Sequence, residues 1–124
     1  MSAPNDLKYL KTHEWHKNEG GVVIIGITDH AAQELTDITF VQLPSVGQKI
    51  KMGDPFGEAE SVKATSDLYC GIDGEIVEVN EKLRNDPGLV NRDPFGDGWI
   101  VKVRPLNIAQ LDNLLSSEEY QANV

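Results

Sequence analysis

At 124 residues the chain has room for one domain with a real core and too little for a usual two-domain enzyme. Twenty Asp and Glu against eleven Lys and Arg leave a formal net charge of −9, which repels phosphate backbones and anionic headgroups and argues against nucleic acid or a membrane surface as partner. The single cysteine, Cys70, excludes an intramolecular disulfide and a cysteine-based zinc site, and suits a reducing compartment.

The start, Met1 to Asp6, has neither an apolar h-region nor the Arg-rich character of a transit peptide, and the longest apolar run, Val22 to Ile25, is strand-sized. The expectation is a cytoplasmic bacterial protein; a mature chain from the mitochondrial matrix with an added Met reads the same way. Val22 to Thr28 is β-branched and bounded by Gly20-Gly21, which predicts a strand buried on both faces. A short helix follows, with Asp29 as N-cap, Ala31, Ala32 and Leu35 as its apolar side and Thr36-Asp37 as its end. Strands are expected over Ile38 to Leu43 and around Gln48 to Met52. Phe56 to Val62 alternates as a half-buried strand should and runs straight into Lys63. After Asp67-Leu68-Tyr69 the chain turns at Gly71 to Gly74 and alternates again over Glu75 to Val79.

Asp86-Pro87-Gly88 and Asn91 to Pro94 are turn-rich, and Trp99 to Val103 reads as the last strand. Six or so short strands at close spacing predict a mainly β sandwich or barrel rather than a βαβ sheet. From Asn107 as N-cap, Ile108, Leu111, Leu114 and Leu115 recur at helical spacing, and Ser117 is the expected cap of one more turn through Tyr120. A single domain, 1–124, thus closes on a helical region at about 107–121. Gly53-Asp54-Pro55-Phe56-Gly57 and Arg92-Asp93-Pro94-Phe95-Gly96 resemble each other, through two quasi-equivalent halves or through shared turn chemistry.

Catalytic signatures are missing: the sequence has no Gly-rich phosphate loop, no His pair at metal-ligand spacing and no Ser elbow. His13, His16 and His30 are scattered, as surface or satisfied core histidines are. What stands out is Glu58-Ala59-Glu60-Ser61-Val62-Lys63-Ala64-Thr65-Ser66-Asp67, which puts a lysine between small residues where one strand must reverse into the next. A lysine on a tight hairpin projects its four-carbon stem away from the body, within reach of a modifying enzyme. A merely solvating lysine would look the same. Cys70 reads as a small buried hydrophobe.

Glu60-Ser61-Val62-Lys63-Ala64 followed by Ser66-Asp67-Leu68-Tyr69 resembles the lipoylation site of glycine cleavage H proteins. The resemblance extends to His13-Glu14-Trp15, Gly26-Ile27-Thr28-Asp29, Phe40-Val41-Gln42-Leu43-Pro44, Gly74 to Asn80 and Gly98 to Val103, in the family's order along nearly the whole chain. Cys70-Gly71 departs from it, in place of a small residue followed by proline, as does Asp37 beside Thr36, where a glycine or an acid pair is common.

The resemblance implies a barrel-sandwich hybrid domain of the lipoyl/biotinyl type with short flanking helices, (R)-lipoate in amide linkage to Lys63, and a carrier without an active site of its own. It implies four partners. The decarboxylating glycine dehydrogenase (P protein) loads the arm with an aminomethyl group, the aminomethyltransferase (T protein) passes that carbon to tetrahydrofolate and releases ammonia, and dihydrolipoamide dehydrogenase (L protein) reoxidises the dithiol. A lipoate-attaching enzyme is the fourth, with Glu60 as an expected contact. The resemblance also places Glu14 and Asp67 beside the docked arm, holding its cationic amine, with Thr12 as hydroxyl partner. His30 and Glu34, four apart on one helix face, border that cleft or simply face water. Trp15 and Trp99 read as core or cleft wall, and the chain as a monomer.

Three rival readings share the hairpin. A biotinyl carrier flanks its lysine with methionine on both sides, where this chain has Val62 and Ala64. A lipoate depot that relays the cofactor to other proteins would use the same Lys63, and an interaction module would leave it unmodified.

Overall fold

Short apolar runs punctuated by glycine, proline and acidic turns fold into nine strands among residues 4–124, the part of the chain described by the computed structural model. The expectation for the chain start lies partly outside these described residues. In chain order the strands are β1 (Lys8–Tyr9), β2 (Glu14–Glu19), β3 (Val22–Ile27), β4 (Ile38–Gln42), β5 (Lys49–Ile50), β6 (Pro55–Ser61), β7 (Thr65–Tyr69), β8 (Gly74–Val79) and β9 (Val101–Pro105). They form a six-stranded sheet in the order β1-β2-β3-β9-β8-β5 and a three-stranded sheet in the order β4-β6-β7. Neighbouring strands pair antiparallel. The mainly β expectation holds, and the strands beyond the six or so anticipated are β1, β2 and β7, none of which lies in a stretch read as a strand from its own pattern.

The two sheets face each other across one apolar layer. Val23, Ile25 and Ile27 of β3, Ile76 of β8 and Val101 and Val103 of β9 meet Val41, Ala59 and Leu68 of the smaller sheet. A second cluster, Leu7, Tyr9, Trp15 and Tyr120, closes one side, with the Tyr9 and Tyr120 rings stacked at 4.7 Å. Gly26 lies flat under the Trp15 indole, where a Cβ would come within 2.6 Å of the ring. The β2–β3 hairpin turns on Gly20 and Gly21, both at the positive φ that a tight primed turn requires. Strand β3 is buried on both faces only in its second half, because Val22 and Ile24 keep one side half-exposed.

The helices depart more from expectation. Helix α1 (Asp29–Leu35) is capped by Thr28, whose hydroxyl accepts the Ala31 N–H at 3.3 Å, while Asp29 is the first helical residue and its carboxylate accepts the His30 N–H. The turn-rich stretch winds into two single-turn helices, α2 (Lys82–Asn85) and α3 (Leu89–Arg92), which bury Leu83 and Val90. Asn107 caps as anticipated, yet Ile108–Asn113 forms a 3-10 helix that buries Leu111 and leaves Ile108 exposed. The last helix, α4 (Ser117–Gln121), is capped by Ser116 in a reciprocal capping box with Glu119, so Ser117 is a buried helical residue and not the cap. The two similar pentapeptides part company: Pro55 opens a strand, whereas the Arg92 to Gly96 stretch leaves a helix.

Candidate functional site

Strands β6 and β7 pair with Glu60 opposite Thr65, Ala59 opposite Ser66 and Glu58 opposite Asp67. The Ser61 N–H donates to the Ala64 carbonyl at 2.8 Å, which leaves Val62 and Lys63 as the two residues at the hairpin tip. Ser61 braces that tip, since its hydroxyl oxygen accepts the N–H groups of Lys63 at 3.1 Å and Ala64 at 3.0 Å. Val62 is 81% exposed and the Lys63 side chain reaches α1, where its Nζ donates to the Glu34 carbonyl at 3.1 Å. The lysine therefore rests on the negative end of a short helix and forms no carboxylate ion pair among the described residues.

Helix α1 is held in place from below. Asn91 of α3 donates to the Ala32 and Thr36 carbonyls and accepts the Ile38 N–H, tying the helix end to the start of β4. Thr36 adopts φ 61°, a left-handed backbone that a β-branched residue rarely takes. On the helix face the His30 Nε2 lies 3.5 Å from the Glu34 carboxylate, which is largely exposed, and it is the Glu34 backbone carbonyl that meets the lysine. The His13 ring sits 4.8 Å from that of His30, and its Nδ1 bonds the Tyr120 hydroxyl, which also bonds Thr28. Burial and the neighbouring His30 both hold the His13 imidazole below its ordinary pKa.

Glu14 opens β2 and is buried. Its carboxylate accepts the Tyr69 N–H at 2.7 Å and the Thr12 hydroxyl, yet loss of solvent outweighs these bonds and pushes its pKa up to about 7. Asp67 stands exposed on β7, with the Tyr69 hydroxyl 3.5 Å from its carboxylate. Thr12, Glu14 and Asp67 are thus joined through Tyr69, whose backbone faces one acid and whose phenol faces the other. Glu60 is apart from them, beside Phe40 and Thr65 in its row of the sheet.

The remaining singled-out side chains are structural. Trp15 is core, its indole N–H shared between the Ile27 and Pro94 carbonyls. Trp99 is half-buried with the Lys102 ammonium 4.8 Å from its ring. Cys70 is buried, its thiol donating to the Ile72 carbonyl and pushed up to about 12 by burial. His16 corrects the expectation for histidines. Its Nε2 accepts the Gly71 N–H at 3.0 Å, but its buried Nδ1 has no partner among the described residues, and burial lowers the ring's pKa to about 3. Ser61, Tyr69, Asn91 and Tyr120 take roles at this site that their places in the sequence motifs and turns did not assign them. Only Ser61 carried a local signal, a hydroxyl two residues before a hairpin tip; the other three act across long sequence separations.

The family model described as glycine cleavage H-protein matches residues 7–124. This chain belongs to that family. It is 55% identical over 119 residues to the glycine cleavage system H protein of Carboxydothermus hydrogenoformans, covering 96% of this chain and 92% of that one. It is 54% identical over 114 residues to the mitochondrial glycine cleavage system H protein of Flaveria trinervia, covering 92% of this chain and 69% of the relative. The crystal structure of a glycine cleavage system H protein from Mycobacterium marinum superposes with a TM-score of 0.89 at 40% identity, covering 97% of each chain. The H-protein family match and this superposition make the two facing sheets a barrel-sandwich hybrid of the lipoyl/biotinyl type. Among the described residues, no helix of this family member is long and apolar enough to cross a membrane.

Proposed function

We propose that this chain is the lipoyl carrier of a glycine cleavage system, acylated on Lys63. The observation that carries the reading is the hairpin tip, a primary amine on an exposed two-residue turn whose backbone is pinned by Ser61. Among the described residues the amine is held by one carbonyl, so an attaching enzyme displaces a single weak contact there. Glu60, three residues before the lysine on the paired strand, is the expected contact of that enzyme. Once attached, lipoate supplies a reversible disulfide that takes up and gives back electrons and a one-carbon amine.

The protein's own residues supply reach, recognition and shelter. Tethering turns each encounter with the decarboxylating dehydrogenase, the aminomethyltransferase and dihydrolipoamide dehydrogenase into a local event at high effective concentration. Glu14, with Thr12 and Asp67 around Tyr69, is the group we assign to hold a cationic amine cargo against water. A pair at roughly 4 Å in an effective dielectric of about 20 attracts by on the order of 4 kcal/mol before desolvation costs, enough to favour resting over free swinging yet still reversible. The bacterial cytoplasm or the mitochondrial matrix suits such a carrier.

Lys63→Arg keeps the charge and loses the acylatable amine. Intact mass after incubation with a lipoate ligase should show the lipoyl increment in the parent and none in the variant, and the variant should support no glycine decarboxylation. A lipoyl increment that persists in the variant overturns the assignment, and a biotinyl increment in the parent would replace it.

A further inference from the structure

Lys17, Arg84, Arg92, Lys102 and Arg104 each pair with a nearby acid. Lys49 and Lys51, on and just after β5, form no ion pair among the described residues. Together with Arg104 they edge an open groove of about 490 Å³ that also takes in Ile50, Glu75 and Leu106. The register explains the charge. Lys49 lies opposite Glu75, which lies opposite Arg104 and bonds it at 2.8 Å, so the one acid in that row is already engaged. Asp73 is engaged as well, since its carboxylate accepts the Met52 N–H and the Gln110 amide, and it also feels the Lys51 ammonium, which leaves Lys49 the less compensated of the two lysines.

Beside these cations the surface is apolar. Leu106 is 83% exposed and Met52 54%, and both are anchored to Asp73, Leu106 through its N–H to the Asp73 carbonyl. Ile108, also exposed, follows two residues on. Lysines on an outermost strand can serve only to keep sheets apart, and β5 is outermost in its sheet. Exposed leucine and methionine beside them work against that role and mark a contact surface. The groove's strand β5 leads into the start of β6, whereas Lys63 follows the other end of that seven-residue strand.

We propose that this end of the molecule is a second docking surface, taking an extended acidic segment of a partner protein whose apolar side chains seat on Leu106 and Met52 and whose carboxylates meet Lys49 and Lys51. Charge complementarity picks the occupant, since Lys49, Lys51 and Arg104 outnumber Asp73 and Glu75 along the groove of an otherwise acidic chain, while a second copy brings a further net charge of −9 and is repelled more strongly than a short acidic segment. The partner holds the carrier while Lys63 visits other sites, and the surface does not depend on acylation.

The probe is the blocked peptide Glu-Leu-Glu-Leu-Glu, titrated at low ionic strength into the full-length, ¹⁵N-labelled chain, with Lys-Leu-Lys-Leu-Lys and Glu-Ser-Glu-Ser-Glu as controls. Saturable amide shifts should be confined to residues 49–52, 73–75 and 104–108, and neither control should reproduce them. The double variant Lys49→Glu, Lys51→Glu should weaken binding at least about tenfold, and Leu106→Ser should do so separately. Lipoylation of Lys63 at the parental rate shows that both variants are folded. No saturable shift at millimolar peptide, equal binding of the basic peptide, or binding indifferent to these variants overturns the proposal. So does concentration-dependent sedimentation of the chain alone that the double lysine variant abolishes, because a second copy would then be the occupant.

Discussion

Glu14 and His16 lie two residues apart on β2 and are shifted in opposite senses by the same cause, loss of solvent. Glu14 holds its proton more tightly folded, at about 7 against an ordinary 4.5, so its contribution to stability is full below pH 4.5 and is lost as pH rises through 7. His16 holds its proton less tightly folded, at about 3 against 6.5, so its contribution is full above pH 6.5 and is lost as pH falls toward 3. Between pH 4.5 and 6.5 the two slopes, each about 1.4 kcal/mol per pH unit at full effect, oppose one another. Glu14→Gln should unmask the histidine: its urea midpoint should climb with pH across that window more steeply than the parent's. Parallel profiles would show that the carboxyl does not stay protonated in the fold. The same titration bears on cargo. As Glu14 ionises near pH 7 it becomes able to hold a cation, so protection of the loaded arm, taken as the ratio of parent to Glu14→Ala lifetimes, should grow from pH 6 to pH 8. Loading with labelled glycine, removing the decarboxylase and following formaldehyde and ammonia release gives that ratio. A ratio of one throughout would remove Glu14 from the assignment, and adding Asp67→Ala tests the second acid in the same way.

The hairpin and α1 are set against each other by a few identifiable bonds. Ser61→Ala removes the acceptor for two tip N–H groups, which water replaces at this exposed turn, so the cost to the fold is small while the tip loses its brace. Lipoylation by ligase should slow severalfold while the urea midpoint barely moves. A normal rate would mean that the enzyme does not read the turn. Inserting one residue between Val62 and Lys63 is the harsher version, because it changes both the turn and the side on which the lysine emerges. At the other wall, Thr36 carries a left-handed backbone at the foot of α1. Thr36→Gly relieves that strain, and chemical denaturation should show a gain of about 1 kcal/mol. A loss would show that the Thr36 side chain contributes more than its backbone costs.

At the scale of the molecule, charge is unevenly placed. Glu58, Glu60 and Asp67 share the sheet that presents Lys63, whereas Lys49, Lys51 and Arg104 gather at the far end of β6. A chain of −9 with its acids around the reactive hairpin is steered toward basic active-site mouths, and salt shortens that reach to about 8 Å at physiological strength. The apparent KM of each partner enzyme for this carrier should therefore rise with ionic strength. A salt-independent value would instead point to docking through exposed Phe40 and Val62.

What the sequence determined by itself was whatever is local: β-branched runs became strands, Gly20-Gly21 became a hairpin turn, and the Ser61 to Ala64 stretch became the tip that presents Lys63. Its motifs also carried the family. Cap positions came out one residue off at α1 and α4, because Thr28-Asp29 and Ser116-Ser117 each offer adjacent capping side chains and only the packing of the incoming strand chooses between them. The expected C-terminal amphipathic helix is a 3-10 helix over Ile108–Asn113, and its Gln110 is bonded to Asp73, a partner 37 residues away that no local pattern records. Tertiary structure alone decided that Glu14 is buried and bonded to Tyr69, 55 residues on, that His16 keeps an orphaned nitrogen, and that Lys63 rests on Glu34. The reason is physical: burial and its electrostatic consequences depend on which strands are stacked face to face, and no spacing along one strand records what the opposite sheet will place against it.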